Sequence, residues 1–332
     1  MEAYIYREQR SKRYIKEVTI KDKEQYFLDV LNIENSFLGR LDVLQYNYFI
    51  LESVELIIHA IDLFEKGYFD SAYYSLRQAI EIATTIIYLS DISEQKRKHN
   101  YQDWKETKKF PMQSQMLREL YQNGNVIFDM KQKMQNFFKE TENISKKINK
   151  YVHKQGIQYF YVCRNHILIN NSDTTRFTNT FEYYLKKVIG IVAVMRLAID
   201  PYPILLMDKE IAYRNFDSIT QPYTEKFVKK YIDEETIEDY KKTNIYKDMY
   251  HRHLKDEKLN QATYQIAQYK YIDTSKKEEI LKQIHLLGFS DRCATFVAFS
   301  CKKVIRIYHD IIMFVYDTDR KNKIADRFYY DR

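Results

Sequence analysis

The stretch LFEKGYFDSAYYSLRQAIEIA (residues 63–83) decides the fold class. Gly67 closes an apolar-periodic run and tolerates the left-handed turn that stops a helix. Asp70 is placed to cap a second helix. Ala72, Leu76, Ala79, Ala83 and Ile86 then recur at steps of three and four, which puts them on one helical face. Ahead of the glycine, Leu44, Tyr48, Leu51, Val54, Ile58 and Ile61 keep the same rhythm, with Glu52, Glu55, His59 and Asp62 opposite. Two amphipathic helices joined by a short turn predict an antiparallel hairpin.

The composition agrees. Only 6 glycines and 4 prolines occur in 332 residues, too few turn residues for an all-β fold. A hydrophobic fraction of 45% is that of a globular chain. The expected fold class is all-α. The 31 tyrosines fit the codon bias of an AT-rich genome, so aromatic clusters alone do not indicate base stacking. A net charge of +7 is compatible with a nucleic-acid partner, but it is spread along the chain. The three cysteines, Cys163, Cys293 and Cys301, are too scattered for a disulfide framework or zinc knuckle. The start, MEAYIYREQRSKRYIK, has no continuous apolar core, and the run Val188–Met195 spans eight residues against the ~20 of a membrane helix. The expectation is a cytoplasmic protein with no membrane segment.

Outward from the hairpin, residues 7–23 form a basic arm before a short helix near 22–36. The polar stretch 93–111, with the sole tryptophan Trp104, reads as a loop, and Pro111 opens a helix to about Tyr121. After an NGN turn, Ile127, Met130, Met134, Phe137, Thr141, Ile144, Ile148 and Tyr151 form an unbroken seam. It predicts one long helix ended by Gly156, packed on a long partner within the chain or in a second copy. Residues 157–170 permit a short hairpin or a buried connection. A helix over 173–199, capped by Ser172 or Asp173, precedes Pro201 and Pro203. Residues 200–260 read as irregular, with short helices near 222–231 and 234–241. Residues 264–272 suit strand or helix. A last helix covers 289–317, with Val297, Cys301, Val304, Tyr308, Ile311 and Val315 on one face.

Candidate chemistry concentrates near ISKKINKYVHKQG (144–156). Helical spacing puts Glu142, Lys146, Asn149 and His153 on one face. Lysines 131, 133, 139, 146, 147, 150 and 154 surround them, against Glu140 and Glu142. An imidazole in such a field can take the proton of a ribose 2′-hydroxyl while cations hold the phosphate, without a metal. The bland reading is a solvated face whose terminal histidine complements the helix dipole. Arg77 and Glu81 lie i, i+4 on a mostly buried helix; they read either as an ordinary helix pair or as a partly buried pair tied to another polar group. His251, His253, His285 and His309 lack the carboxylates or cysteines that would make a metal site. No cofactor is expected.

EKGYFDSAYYSLRQAIE (65–81), DWKETKKFPMQSQML (103–117) and NKYVHKQG (149–156) together resemble the HEPN-domain proteins, over about residues 41–160. That resemblance implies a helical bundle of the kind found in prokaryotic toxin, abortive-infection and RNA-processing systems and in nucleotide-binding modules. It also implies metal-independent RNA cleavage by an Arg-x4–6-His motif assembled across a homodimer. His153 matches the histidine. The arginine positions hold Lys146, Lys147 and Ile148, and lysine lacks the bidentate fork. Lys146 then substitutes, or Arg77 or Arg164 supplies the guanidinium, or the site does not cut. Residues 60–72 also resemble a tetratricopeptide helix pair, but no second copy follows.

The sequence therefore leads us to expect an arm and short helix (1–40), a HEPN-like bundle (41–200) and a helical C-terminal region packed on it (201–332). The expected function is that of a metal-independent ribonuclease or toxin-like effector of bacterial defence. His153, Lys146 and Asn149 would act in it, supported by Arg77, Glu81, Lys147, Lys150 and Arg164. The alternative is a non-catalytic module that binds a nucleotide, an RNA or a protein. RNA or a nucleotide, and a second copy of the chain, are the expected partners.

Overall fold

The computed structural model describes residues 2–300 apart from 41, 92, 93, 109, 170–173, 216, 217 and 255–258. Among these residues the fold is all-α, without a sheet; a lone antiparallel bridge joins Tyr14 to His166. No helix among them is long and apolar enough to cross a membrane.

The expected hairpin is α3 (Asn47–Glu65) and α4 (Phe69–Ser90). Gly67 adopts φ +81°, and a Cβ there would lie 1.8 Å from the Lys16 carbonyl oxygen, so the turn accepts only glycine. All five residues predicted for the α4 face are buried. On α3 the buried stripe is rotated. Phe49, Ile50, Val54, Ile57, Ile61 and Phe64 face the core, whereas Leu44 and Tyr48 are exposed. This helix is apolar over most of its circumference, so spacing alone admits several stripes. Ring contacts select one of them: Phe64 stacks on Phe181 at 3.9 Å and Phe49 meets Trp104 at 4.7 Å.

The basic arm contains a helix of its own, α1 (Glu2–Ser11), and α2 (Lys23–Glu34) lies where the short helix was expected. Residues read as a loop form α5 (Glu94–Lys105). Its Lys, Arg, Glu and Gln are good helix formers, and one edge is anchored by Tyr101 and Trp104 on Tyr46 and Phe49. Next come α6 (Gln113–Asn123), α7 (Val126–Lys133) and α8 (Gln135–Val152). The long seam is thus two helices, broken at Met134, whose φ −115°, ψ 45° are not helical. Most of the seam stays buried across the break, which is why periodicity conceals it: Ile127, Met130, Met134, Ile144 and Ile148 are enclosed, while Phe137, Thr141 and Tyr151 are half-buried and Phe138 is enclosed in place of Phe137. The buried carboxylate of Asp91 starts α7 by accepting from the amides of Asn125, Val126 and Ile127. The partner of the α8 seam lies within the chain and is α4.

Residues 157–169 are a connection rather than a hairpin, and a largely exposed one rather than a buried one, with a 3-10 turn at Ile157–Tyr159 and the short α9 (Tyr161–Arg164). Then α10 (Thr174–Arg196) runs through the centre of the bundle. Its expected caps, Ser172 and Asp173, lie outside the described residues. At Gly190 a Cβ would lie 2.0 Å from the Tyr231 carbonyl oxygen, so the π-helical turn Val228–Ile232 packs directly on the α10 backbone. At the end of α10, Arg196 is buried, pairs with Asp200 at 3.0 Å and donates twice to the Ser36 carbonyl.

Two compact units result: residues 1–204 with 219–249, and residues 205–218 with 250–332. Helix Asn244–Leu254 occupies part of the segment read as irregular. The second unit has its own core of Ala262, Ile266, Ile272, Ile280, Leu287, Ala294 and Ala298. Of residues 264–272, open between strand and helix, 264–269 are helical, within a helix that runs Gln261–Tyr269, and 270–272 are neither. Helix Phe289–Ser300 turns Asp291, Arg292, Ala294, Thr295 and Ala298 inward, not the expected Val297 face. Arg292 bonds the carbonyls of Leu287 and His285, and Asp291 pairs with Lys270, and these contacts draw that polar face inward. The rest of the predicted face, from Cys301 on, lies outside the described residues.

Arg196→Ala leaves Asp200 buried without its counter-charge. Denaturant unfolding should show a loss of about 3–5 kcal/mol, and Asp200→Asn a smaller one.

Candidate functional site

α4 and α8 run antiparallel, and polar and aromatic side chains meet between them in successive rungs. Asp70 at the start of α4 pairs with Lys154, just beyond the end of α8. One turn along, the rings of Tyr73 and Tyr151 stack at 4.2 Å with 10° between their planes. A further turn along, Arg77 Nε donates to Asn149 Oδ1 at 3.0 Å, while its Nη2 holds Glu81 at 3.2 Å. Of the sequence candidates, Arg77, Glu81 and Asn149 are therefore brought together, and the Arg77–Glu81 pair is half-buried and tied to a third polar group.

His153 forms the C-cap of α8, one turn beyond Asn149, and its amide donates to the Asn149 carbonyl at 2.8 Å. Its side chain is exposed, and no carboxylate or amide of the described residues holds the ring. Lys147 and Lys150 are also exposed, and Lys146, 71% exposed, leans on Glu142 at 3.7 Å. These residues lie on the solvent side of α8, opposite its buried seam, as the helical spacing implied.

Arg164 belongs to the Asp70 end of the ladder. Its guanidinium binds Asp70 and lies 4.9 Å from the centre of the Tyr151 ring. Asp70, expected as a helix cap, instead stands in the first turn of α4 and binds both Lys154 and Arg164. Two cations close by from a distant segment outcompete a local backbone amide. The left-handed residue that ends α8 is Lys154, at φ 53°, rather than Gly156. Burial pushes the phenol of Tyr73 well above its ordinary value and raises that of Tyr151, so both stay neutral and neither serves as a base. Sequence reasoning missed Asp70, Tyr73, Tyr151 and Lys154 as a set. Their only signal is the matched spacing along two helices distant in sequence.

Among the described residues no three His, Cys, Asp or Glu side chains gather as a metal site. His253 Nδ1 lies 3.3 Å from the Asn215 amide instead, and His309 lies outside the described residues. No family model matches the chain, and no curated protein or solved structure matches it.

The Arg77–Asn149 contact should register in a double-mutant cycle. Unfolding of Arg77→Ala, Asn149→Ala and the double variant should give a coupling of about 1–2 kcal/mol.

Proposed function

We propose that the chain is a metal-independent ribonuclease of a bacterial defence or toxin–antitoxin system, acting through the exposed end of α8. The observation that carries this reading is the bond from Arg77 to Asn149. It ties a guanidinium from α4 to Asn149, the residue one helical turn before His153, on the helix whose own sequence lacks the arginine. In this reading His153 takes the proton of a ribose 2′-hydroxyl. The 2′-oxygen attacks the adjacent phosphorus, and the bond to the 5′-oxygen breaks. The leaving oxygen takes a proton from the imidazolium of a second copy. Arg77, with Lys146, Lys147 and Lys150, stabilises the charge on the phosphate oxygens.

A homodimer fits this arrangement. The apolar seam of α8 is covered by α4 within the chain, so the polar His153 face remains for a second copy to meet. That copy would also orient a ring that no described side chain holds. The non-catalytic alternative, in which the same basic face binds RNA, draws support from the Glu81 carboxylate that already engages Arg77.

With labelled RNA, His153→Ala should keep its unfolding midpoint, because the side chain is exposed, and should lose about 10²–10⁴-fold of the cleavage rate. Chelators should have no effect. Lys146→Arg should preserve or raise activity. Tight RNA binding with no cleavage by the wild-type chain would leave the non-catalytic alternative.

A further inference from the structure

The connection 157–169 between α8 and α10 exposes five large apolar side chains: Ile157, Phe160, Val162, Leu168 and Ile169. No other stretch of that length among the described residues exposes as many. We propose that this connection docks on the surface of an anionic lipid bilayer. The contact is superficial, since no described helix is long and apolar enough to cross a membrane. The argument does not rest on whether the chain cuts RNA.

Clustered apolar exposure of this kind marks a surface that a partner covers. Leu168 is 82% exposed, Ile157 71% and Ile169 61%. The backbone that carries them is anchored. The carbonyl of the buried Asn165 accepts from the Ile15 amide at 3.1 Å, and the Ile167 amide donates to the Arg13 carbonyl at 3.1 Å. Arg164 is held by Asp70. The apolar side chains therefore stand out from a fixed stretch of chain.

Their surroundings are cationic. Residues 143–172 include Lys146, Lys147, Lys150, Lys154 and Arg164 and no aspartate or glutamate. Ile157 and Ile169 share with Arg176 the walls of a cavity of about 560 Å³, which the Tyr73–Tyr151 pair also lines. Val162 shares a second cavity, of about 570 Å³, with Tyr68, Arg7, Lys16 and Lys66. Arg7, Lys16, Lys66 and Arg176 are exposed, and none has an ion pair among the described residues. The acids of the second cavity are Glu17 and Asp70, and Asp70 already holds Lys154 and Arg164.

The mixture selects the partner. RNA would engage the cations but leave Ile157, Val162, Leu168 and Ile169 in water, because an aliphatic side chain has no ring to stack on a base. An uncharged apolar protein surface would cover the aliphatics and leave the cations unanswered. A bilayer with anionic lipid answers both. Its headgroups attract lysine and arginine within a Debye length, and the boundary with the acyl chains takes up the apolar side chains. Tyr68, an exposed ring with a polar tip, suits the headgroup level.

Flotation of the full chain with phosphatidylcholine vesicles carrying about 30% phosphatidylserine, against pure phosphatidylcholine, tests the proposal. The chain should bind the mixed vesicles about ten-fold more strongly or better, and raising the salt from about 0.1 M to about 0.5 M should weaken that binding. The double variant Ile157→Ser, Leu168→Ser changes only exposed positions. It should keep the unfolding midpoint and bind the mixed vesicles about ten-fold more weakly. Lys66→Ala combined with Arg176→Ala should weaken binding by a similar factor. Leu168→Trp should show a blue shift of emission on mixed vesicles beyond any change of Trp104 in the wild-type chain. Several results would overturn the proposal: no flotation with the mixed vesicles, equal binding to both vesicle types, or full binding by the serine double variant. A wild-type chain that ignores vesicles but self-associates, and a serine double variant that is monomeric, would instead make this surface an interface between copies.

Discussion

The antiparallel register of α4 against α8 is the constraint on which the candidate site depends. Ile144 and Ile148 are buried on α8, and α8 packs on α4, so the closed seam fixes the register. Once that seam is closed, Asp70 has to meet Lys154, Tyr73 has to meet Tyr151, and Arg77 has to meet Asn149. A slip of one turn, 5.4 Å, would leave half-buried charges without their partners, which costs far more than a surface pair contributes. The apolar seam supplies the driving force, and the polar rungs supply the specificity.

That register also sorts the charges. At one end the Asp70 carboxylate holds Lys154 and Arg164 beside the aromatic cavity. At the other end Arg77 is shared between Glu81 and Asn149, next to a helix face of exposed lysines. The stacked tyrosines separate the two groups of charges along the ladder, and His153, between Tyr151 and Lys154 in the chain, lies toward the Asp70 end.

The fold was legible where a single face is unambiguous. The small residues of α4, from Ala72 to Ile86, could face only inward, and Gly67 could only be a turn. It was illegible where several faces compete, as on α3, whose stripe was settled by the ring contacts of Phe49 and Phe64. Helix α5 escaped notice because its polar sequence has propensity but no stripe, and the break at Met134 escaped because the seam stays in phase across it. The site was half legible. Arg77, Glu81, Asn149 and His153 could be chosen by residue type and spacing. Their assembly could not be foreseen, because it depends on a pairing between segments some seventy residues apart, and the same is true of the partnership of Asp70 with Arg164.

The central claim is that the end of α8 cuts RNA by moving a 2′-hydroxyl proton without a metal. The chemistry of the cut ends tests it most directly. Incubation of a defined RNA with the purified chain in a chelator, followed by analysis of the product termini, should yield 2′,3′-cyclic phosphate and 5′-hydroxyl ends, because the 2′-oxygen is the nucleophile. Products with 3′-hydroxyl and 5′-phosphate ends, or an RNA left intact, would contradict it.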